Sequence, residues 1–223
     1  MNNLTLVIPA KYEATTLPIV LKEINDMKLP CKIIVVVPEY DKSTIEAIAK
    51  FDCKILIQKG EGFGNALIQG LNESDTKYSC IFNADGSFNP SELNDMYKKI
   101  NENNIDIIFA SRYEKNCSSE DDTFITYIGN FFFTKIGNIF FSLKITDILY
   151  TFVMGETFKV KNLNLENKDF VFCVELPIKA IKNGLNISTS KSNERARFAG
   201  KKKVSAFFDG FLILKGLFKL FFK

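Results

Sequence analysis

Histidine and tryptophan are both absent from this 223-residue chain. Without histidine there is no Ser–His or Cys–His nucleophile, no imidazole general base and no His-ligated metal centre. Cysteine is scarce and scattered, at 31, 53, 80, 117 and 173. The number is odd and no Cys-x-x-Cys spacing occurs, so neither a disulfide frame nor a zinc site is expected. These residues read as small buried hydrophobes of a reducing compartment. No run approaches the roughly 18 uninterrupted apolar residues of a membrane span. The N-terminus lacks a basic region, and Pro9 interrupts its apolar run, so no signal peptide is expected. Internal repeats and low-complexity linkers are missing too.

What is present is a chain long enough for one large domain with a substantial core, 46% apolar and rich in phenylalanine (22 residues). The net charge of +3 is unevenly spread. Residues 191–223 hold nine Lys or Arg and two acids, a net +7 that leaves −4 on the first 190 residues. A basic, Phe-rich tail on a mildly acidic body points to an anionic partner at that end. No nucleic-acid partner is expected.

Along the chain, strand patterns alternate with helix patterns. Strands are expected at 4–8, 32–37, 54–57, 78–82 and 105–110, the second being a continuous β-branched run of the kind found in central parallel strands. Helices are expected from a Thr15 or Thr16 cap to about Met27, then at 44–50, 65–71 and 91–101. This βαβα series predicts an α/β fold, a doubly wound and mostly parallel sheet with helices on both faces. Residues 114–124 are polar and read as a mobile loop. Phe124–Leu143 then predicts an amphipathic helix or helix pair. A further helix starts near Phe172 and ends at the Asn183-Gly184 cap, a short strand covers 186–190, and a last helix covers 204–223.

Residues 78–88, YSCIFNADGSF, carry the sharpest chemical signal. A buried strand ends in a small polar cluster with a single acid, Asp85, beside Asn83 and Ser87. Ligands of open α/β sheets sit beyond the carboxyl ends of strands. A carboxylate there can hold a hard divalent cation whose shell a diphosphate completes. An ordinary strand-to-helix turn is the structural alternative, since Asp, Gly, Ser and Pro all favour turns. The Gly60–Gly64 turn follows the third strand, without Gly-x-Gly-x-x-Gly spacing and without a following Lys-Ser/Thr. A dinucleotide fold and a P-loop are therefore poor fits. The turn either lets a ligand approach the backbone or simply joins strand to helix.

Together these segments carry a resemblance. IPAKYE at 8–13, GFGNAL at 62–67 with Gly70, NADGS at 83–87 with Pro90, and ASRY at 110–113 resemble family 2 glycosyltransferases of the GT-A fold. Thr146-Asp147, Glu175 and ERARFAGKKK at 194–203 are similar to the C-terminal half of polyprenyl-phosphate-mannose synthases. Almost the whole chain is covered in the right order. The resemblance implies sugar transfer from a nucleotide diphosphate, with Mg²⁺ or Mn²⁺ as cofactor. Asp85, Asn83 and Ser87 would hold the metal. Pro9, Ala10, Lys11, Glu13, Glu39, Gly62, Gly64, Asn83 and Ala84 would bind the donor. Three departures stand out. The second strand of the family ends in Asp-Asp-Gly-Ser, whose acid contacts the base, where this chain has Pro38-Glu39-Tyr40-Asp41, leaving Glu39 or Asp41 for that contact. Asn83 replaces the first acid of the metal motif. Tyr12 stands where the family has Asn.

The leaving diphosphate accumulates charge, so cationic groups are needed. Arg112, Arg195, Arg197 and Lys203 are the candidates, with solvated surface charge as the alternative. A lipid-phosphate acceptor is already an anionic nucleophile, whereas a hydroxyl acceptor needs a carboxylate base. Asp147 and Glu175 are available for that, or for caps and buried ion pairs. In the tail, a broad apolar arc edged by lysine fits a helix lying in a membrane interface, or one packed on the domain or in a homodimer. The expected layout is a domain at 1–200, with a nucleotide half at 1–113 and an acceptor half at 114–200, followed by an interfacial helix at 201–223. The expected partners are a nucleotide-sugar donor, a lipid-phosphate or glycan acceptor and the cytoplasmic membrane face. A silent membrane-associated scaffold and a nucleotidyltransferase are the competing readings.

Overall fold

The computed structural model describes residues 3–200 and 205–222. The β-branched and apolar runs form strands β1 (Leu4–Pro9), β2 (Cys31–Pro38), β3 (Lys54–Gln58), β4 (Tyr78–Ile81) and β5 (Ile107–Ser111). Between them lie helices α1 (Leu17–Asp26), α2 (Lys42–Ile48), α3 (Phe63–Glu73) and α4 (Glu92–Glu102). The second half adds α5 (Phe124–Phe141), β6 (Val153–Glu156), α6 (Thr157–Asn162), α7 (Phe172–Lys182), β7 (Ile187–Lys191) and α8 (Ala206–Phe222). The seven strands make one sheet in the order β3-β2-β1-β4-β6-β5-β7. Its pairings are parallel except that β6 runs antiparallel to both β4 and β5.

Side-chain alternation divides the apolar residues of the sheet between two cores. Leu6, Ile8, Ile33, Val35 and Val37 pack with α1 and α4, while Val7, Ile34 and Val36 pack with α3 and α7. Both faces are covered, as the unbroken β-branched run of β2 requires.

The strand β6 and helix α6 have no counterpart in the sequence reading. VMGE is only four residues long and does not alternate cleanly, because all but its last residue are buried. The stretch 124–141 is a single helix, opened by a capping box in which Thr123 and Thr126 bond each other's backbone N–H. Thr16 occupies the N-cap position of α1, but its hydroxyl donates to Glu13 instead of capping the helix. Segment 114–124, expected to be mobile, is tied down: the Glu194 backbone N–H donates to the Ser118 carbonyl and the Glu120 backbone N–H to the Glu194 carbonyl. On α8 a buried row, Asp209, Ile213, Leu217 and Leu220, packs against α5 and α7. Gly216 allows the closest approach, since a Cβ there would stand 2.2 Å from Val171 Cγ1.

Candidate active site

The carboxyl ends of β1, β2, β3 and β4 open on one cavity of about 530 Å³. Its floor is built on the turn after β4. Phe82, Phe88 and Phe152 form a buried aromatic cluster, with Phe88 stacked on Phe152 at 4.8 Å, and this anchors both ends of the turn. Within the turn, Asp85 Oδ1 accepts from the Ser87 N–H (3.0 Å) and hydroxyl (2.7 Å). This Asx-type turn leaves Oδ2 outside the local bonds. Gly86 takes a positive φ of 86°, and the Phe198 ring packs where a Cβ would stand.

The segment after β7 folds across this turn. Arg195 N–H donates to the Ser87 carbonyl and Phe198 N–H to that of Asp85, both at 2.9 Å. Arg197 is thereby placed beside the acid, with Nη1 3.6 Å from Asp85 Oδ2 and Nη2 2.8 Å from Asp121 Oδ2. The Asp121 hydrogen bond raises the Arg197 pKa and Asp85 adds to that, against the opposing effect of burial, so the guanidinium stays charged.

Of the residues singled out in the sequence, Pro9, Ala10, Lys11, Glu13, Gly62, Asn83, Ala84, Asp85 and Arg197 line the cavity. The others do not. Ser87 is buried inside its own turn. Gly64 packs on the chain itself: a Cβ there would meet the carbonyl oxygens of Asn167 and Asp169 at 2.3 and 2.7 Å. Glu39 is exposed beyond the rim. Arg195 spreads over Glu23 and the carbonyls of Gly86 and Phe88, bracing the turn from behind. Lys203 lies outside the described residues.

Arg112, Asp147 and Glu194 form a buried ionic cluster. Asp147 accepts Nε and Nη2 of Arg112 at 2.7 and 3.0 Å, and the Asn130 amide at 2.9 Å. Glu194 accepts Nη1 at 3.1 Å. Burial works against the charge on Arg112, but the two carboxylates outweigh it and push its pKa up. Burial likewise raises the Glu194 carboxyl. Glu175, fully buried, accepts the backbone N–H groups of Glu166 and Asn167 and pairs with Lys179 at 2.9 Å. It thus shapes the loop whose Lys168 carbonyl meets the start of α3.

Several lining residues were not anticipated. Leu149, Thr151, Phe170 and Cys173 make an apolar wall that comes from far along the chain. Phe170 stacks on Phe63 at 4.9 Å. Burial pushes the Cys173 thiol up to about 12, so it serves as neutral wall rather than nucleophile. Tyr12 and Tyr40 stand at the opposite end. The sequence marks Tyr12 as a departure from the family Asn, and the positions of both just after β1 and β2 are the signal that could have assigned them to the site.

Asp41, the alternative to Glu39 for a base contact, caps α2 instead. Its Oδ1 accepts from Thr44 N–H and the Ser43 hydroxyl, and its Oδ2 from Tyr12 N–H. Burial opposes ionisation, yet these bonds hold the carboxyl below its ordinary value. Among the described residues no group of three or more His, Cys, Asp or Glu converges on a metal position. Asp85 Oδ2 and the Asn83 amide are the cavity-lining oxygens that the turn offers. Such a donor set fits a hard cation held mainly by diphosphate, since Mg²⁺-type sites often use one or two protein oxygens plus substrate phosphates.

The sheet and the cleft over its carboxyl edge define the class as the GT-A glycosyltransferase fold. The chain itself belongs to glycosyl transferase family 2, whose profile matches residues 5–163. Among solved structures it is similar to glucosyl-3-phosphoglycerate synthase from Mycobacterium tuberculosis in complex with Mn²⁺, UDP and phosphoglyceric acid. That likeness has a TM-score of 0.78 at 15% identity, covering 99% of this chain and 78% of that one. The same enzyme with Mg²⁺ and UDP gives 0.77 at 14%, over 98% and 79%. Its complex with Mn²⁺, UDP-glucose and phosphoglyceric acid gives 0.79 at 12%, over 99% and 80%. At such identities the likeness speaks for the fold. Family membership makes the chain a glycosyltransferase and removes the nucleotidyltransferase reading.

Proposed function

We propose that this glycosyltransferase moves a sugar from a nucleotide diphosphate to a lipid-linked acceptor at a membrane surface, with a polyprenyl-type phosphate as the preferred nucleophile. The donor diphosphate lies at the Asp85–Arg197 end of the cavity. Asp85 and Asn83 would hold a divalent ion there, which would supply charge neutralisation to the leaving diphosphate. Arg197 contributes a cation beside it, and the Phe63–Phe170 wall keeps water from the sugar. An acceptor phosphate oxygen attacks the anomeric carbon as the bond to the diphosphate oxygen breaks, and the nucleoside diphosphate leaves. No strong base is required. That suits a site in which Asp147 and Glu175 are both spent on buried partners away from the cavity.

One observation carries the lipid reading. Phe124, Phe131, Phe132, Ile139 and Phe140 on α5, and Phe207, Phe208, Phe211, Phe218 and Phe222 on α8, each leave more than half of their surface in solvent. The two helices pack on each other, with Phe140 and Phe221 5.7 Å apart, so these rows adjoin. Lys135, Lys215 and Lys219 are exposed along them, and Lys144 just past the end of α5. The acid of α8, Asp209, is buried and bonded to Ser205 N–H. A wide aromatic face with cationic edges matches anionic bilayer interface. Among the described residues no helix is long and apolar enough to cross a membrane. Helix α7 links this face to the cavity, Val171 touching α8 while Phe170 and Cys173 line the site.

The test is flotation of the full chain with vesicles containing anionic lipid. Binding at low salt that weakens at high salt supports the reading. Replacing Phe131, Phe208 and Phe211 with Ser should release the protein while sparing donor binding. A chain that stays in the soluble fraction at low salt contradicts it, and a glycan or soluble acceptor then takes its place.

A further inference from the structure

Asp121 is not among the residues that line the cavity, yet it grips an arginine that is. Arg197 Nε donates to Asp121 Oδ1 at 3.1 Å and Nη2 donates to Oδ2 at 2.8 Å, a two-point contact along one edge of the guanidinium. That edge uses two of the five N–H donors of the group. Nη1 lies on the other side and faces Asp85 Oδ2, at 3.6 Å too far for a hydrogen bond. The Arg197 side chain is 19% exposed and the Asp121 side chain 15%, so solvent screens their contact little.

The acid is itself fixed from both sides. Before it, residues 118–120 run beside Glu194, joined by two backbone hydrogen bonds of 3.0 Å. The Ser119 hydroxyl donates to the Glu194 carboxylate, and the Ala196 N–H to the Glu120 carboxylate at 3.2 Å. After it, the Asp122 N–H donates to the Ser119 hydroxyl at 3.0 Å, and Thr123 caps the 18-residue helix α5. Asp121 thus stands between a clasp on the ERAR segment and the start of a long helix. A free arginine side chain has many rotamers to lose when it meets a phosphate. Here an anchored carboxylate has already selected one.

We infer that Asp121 is a positioning residue for the transfer reaction: it holds Arg197 by one edge, so that Nη1 is already turned toward the donor diphosphate at Asp85. The inference rests on the donor site proposed above. The rotamer entropy of the arginine is then lost on folding and not on binding, and more of each phosphate contact appears as affinity. The two-point contact also sets the plane of the guanidinium, which decides how its remaining donors meet phosphate oxygens. Lying off the cavity, Asp121 acts through Arg197.

A double-mutant cycle tests this. UDP, GDP and dTDP are titrated calorimetrically into the full chain in Mn²⁺. The tightest is carried into Asp121→Asn, Arg197→Ala and the double variant, with melting curves to show that each is folded. Should Asp121→Asn be unfolded, Asp121→Ser replaces it in the cycle. Asp121→Asn keeps the side-chain shape but loses the charge and one acceptor, and it should weaken the nucleotide about tenfold. In the Arg197→Ala background the same change should move affinity by less than about twofold. Equal weakening in both backgrounds means a purely structural role and overturns the inference. No change overturns it too, as does tighter binding in Asp121→Asn, which makes Asp121 a latch that keeps Arg197 from the phosphates. Each of these results leaves the donor site intact. If none of the three nucleotides binds the wild type, the donor site falls, and the role of Asp121 with it.

Discussion

Arg197 Nη1 lies 3.6 Å from Asp85 Oδ2, the carboxylate oxygen left outside the hydrogen bonds of the turn after β4. The guanidinium is held there by Asp121 and by the backbone bonds that lay residues 195–198 across the turn. A cation arriving alone at Asp85 meets this positive charge. One arriving with diphosphate brings negative oxygens that the metal and Arg197 can share. Metal and nucleotide should therefore bind cooperatively: UDP is expected to raise Mn²⁺ affinity by at least about tenfold, and Mn²⁺ to raise UDP affinity by the same factor. Asp85→Ala should remove the coupling, and Asn83→Asp should tighten Mn²⁺ binding. Titration of free Mn²⁺ by paramagnetic resonance, with and without UDP, checks all three.

The two arginines of the ERAR segment should separate cleanly. Arg197→Ala should weaken donor binding at least about tenfold, as expected for loss of a charge-assisted contact worth roughly 1.5–3 kcal/mol. Arg195→Ala, which loses bonds to Glu23 and to the carbonyls of Gly86 and Phe88, should lower thermal stability and leave donor affinity within about twofold. Paired melting curves and UDP titrations distinguish the two roles.

Removing Arg112 strands two buried carboxylates, Asp147 and Glu194, without a counter-ion. Breaking a buried ion pair from one side costs about 3–5 kcal/mol, and Arg112→Ala should lose that much in denaturant unfolding. Arg112→Lys should recover only part, because an ammonium cannot bond both oxygens of Asp147 and reach Glu194 together.

Asp41 supplies a pH-dependent contribution. Its folded-state pKa is depressed below 3.8, so its bonds stabilise the protein fully above the unfolded value and are lost as pH falls through the folded one. Asp41→Ala should cost about 1–2 kcal/mol near neutral pH, in line with an N-cap. The gap to wild type should close on acidification below about pH 4. A gap independent of pH would mean that the carboxylate's charge plays no part.

The sheet was legible because β1 to β5 are short, strongly apolar and separated by helix and turn signals. Strand β6 was not, since four residues buried between β4 and β5 carry neither length nor alternation. The cavity floor could be read from NADGS, whose single acid and small neighbours are a local pattern. Its apolar wall could not: Phe170 and Cys173 reach the site through the packing of α7 on α3, which no local spacing records. The arginines show the reverse limit. Arg112, Arg195 and Arg197 look alike in sequence, and only the fold separates a buried ion-pair centre and a brace from a cavity cation. For Gly64, the ligand that approaches the backbone turns out to be the chain's own 167–169 loop.

Transfer itself is the most direct test of the whole account. Wild-type protein and Asp85→Ala would be incubated with Mn²⁺, anionic vesicles carrying polyprenyl phosphate, and a panel of radiolabelled UDP-, GDP- and dTDP-sugars, with label counted in the extracted lipid. The account predicts metal-dependent labelling of the lipid by the wild type from at least one donor, reduced at least about a hundredfold in Asp85→Ala, as fits loss of a main electrostatic contribution. Donor turnover into lipid that is unaffected by Asp85→Ala, or no turnover of any donor by a membrane-bound wild type, would contradict it.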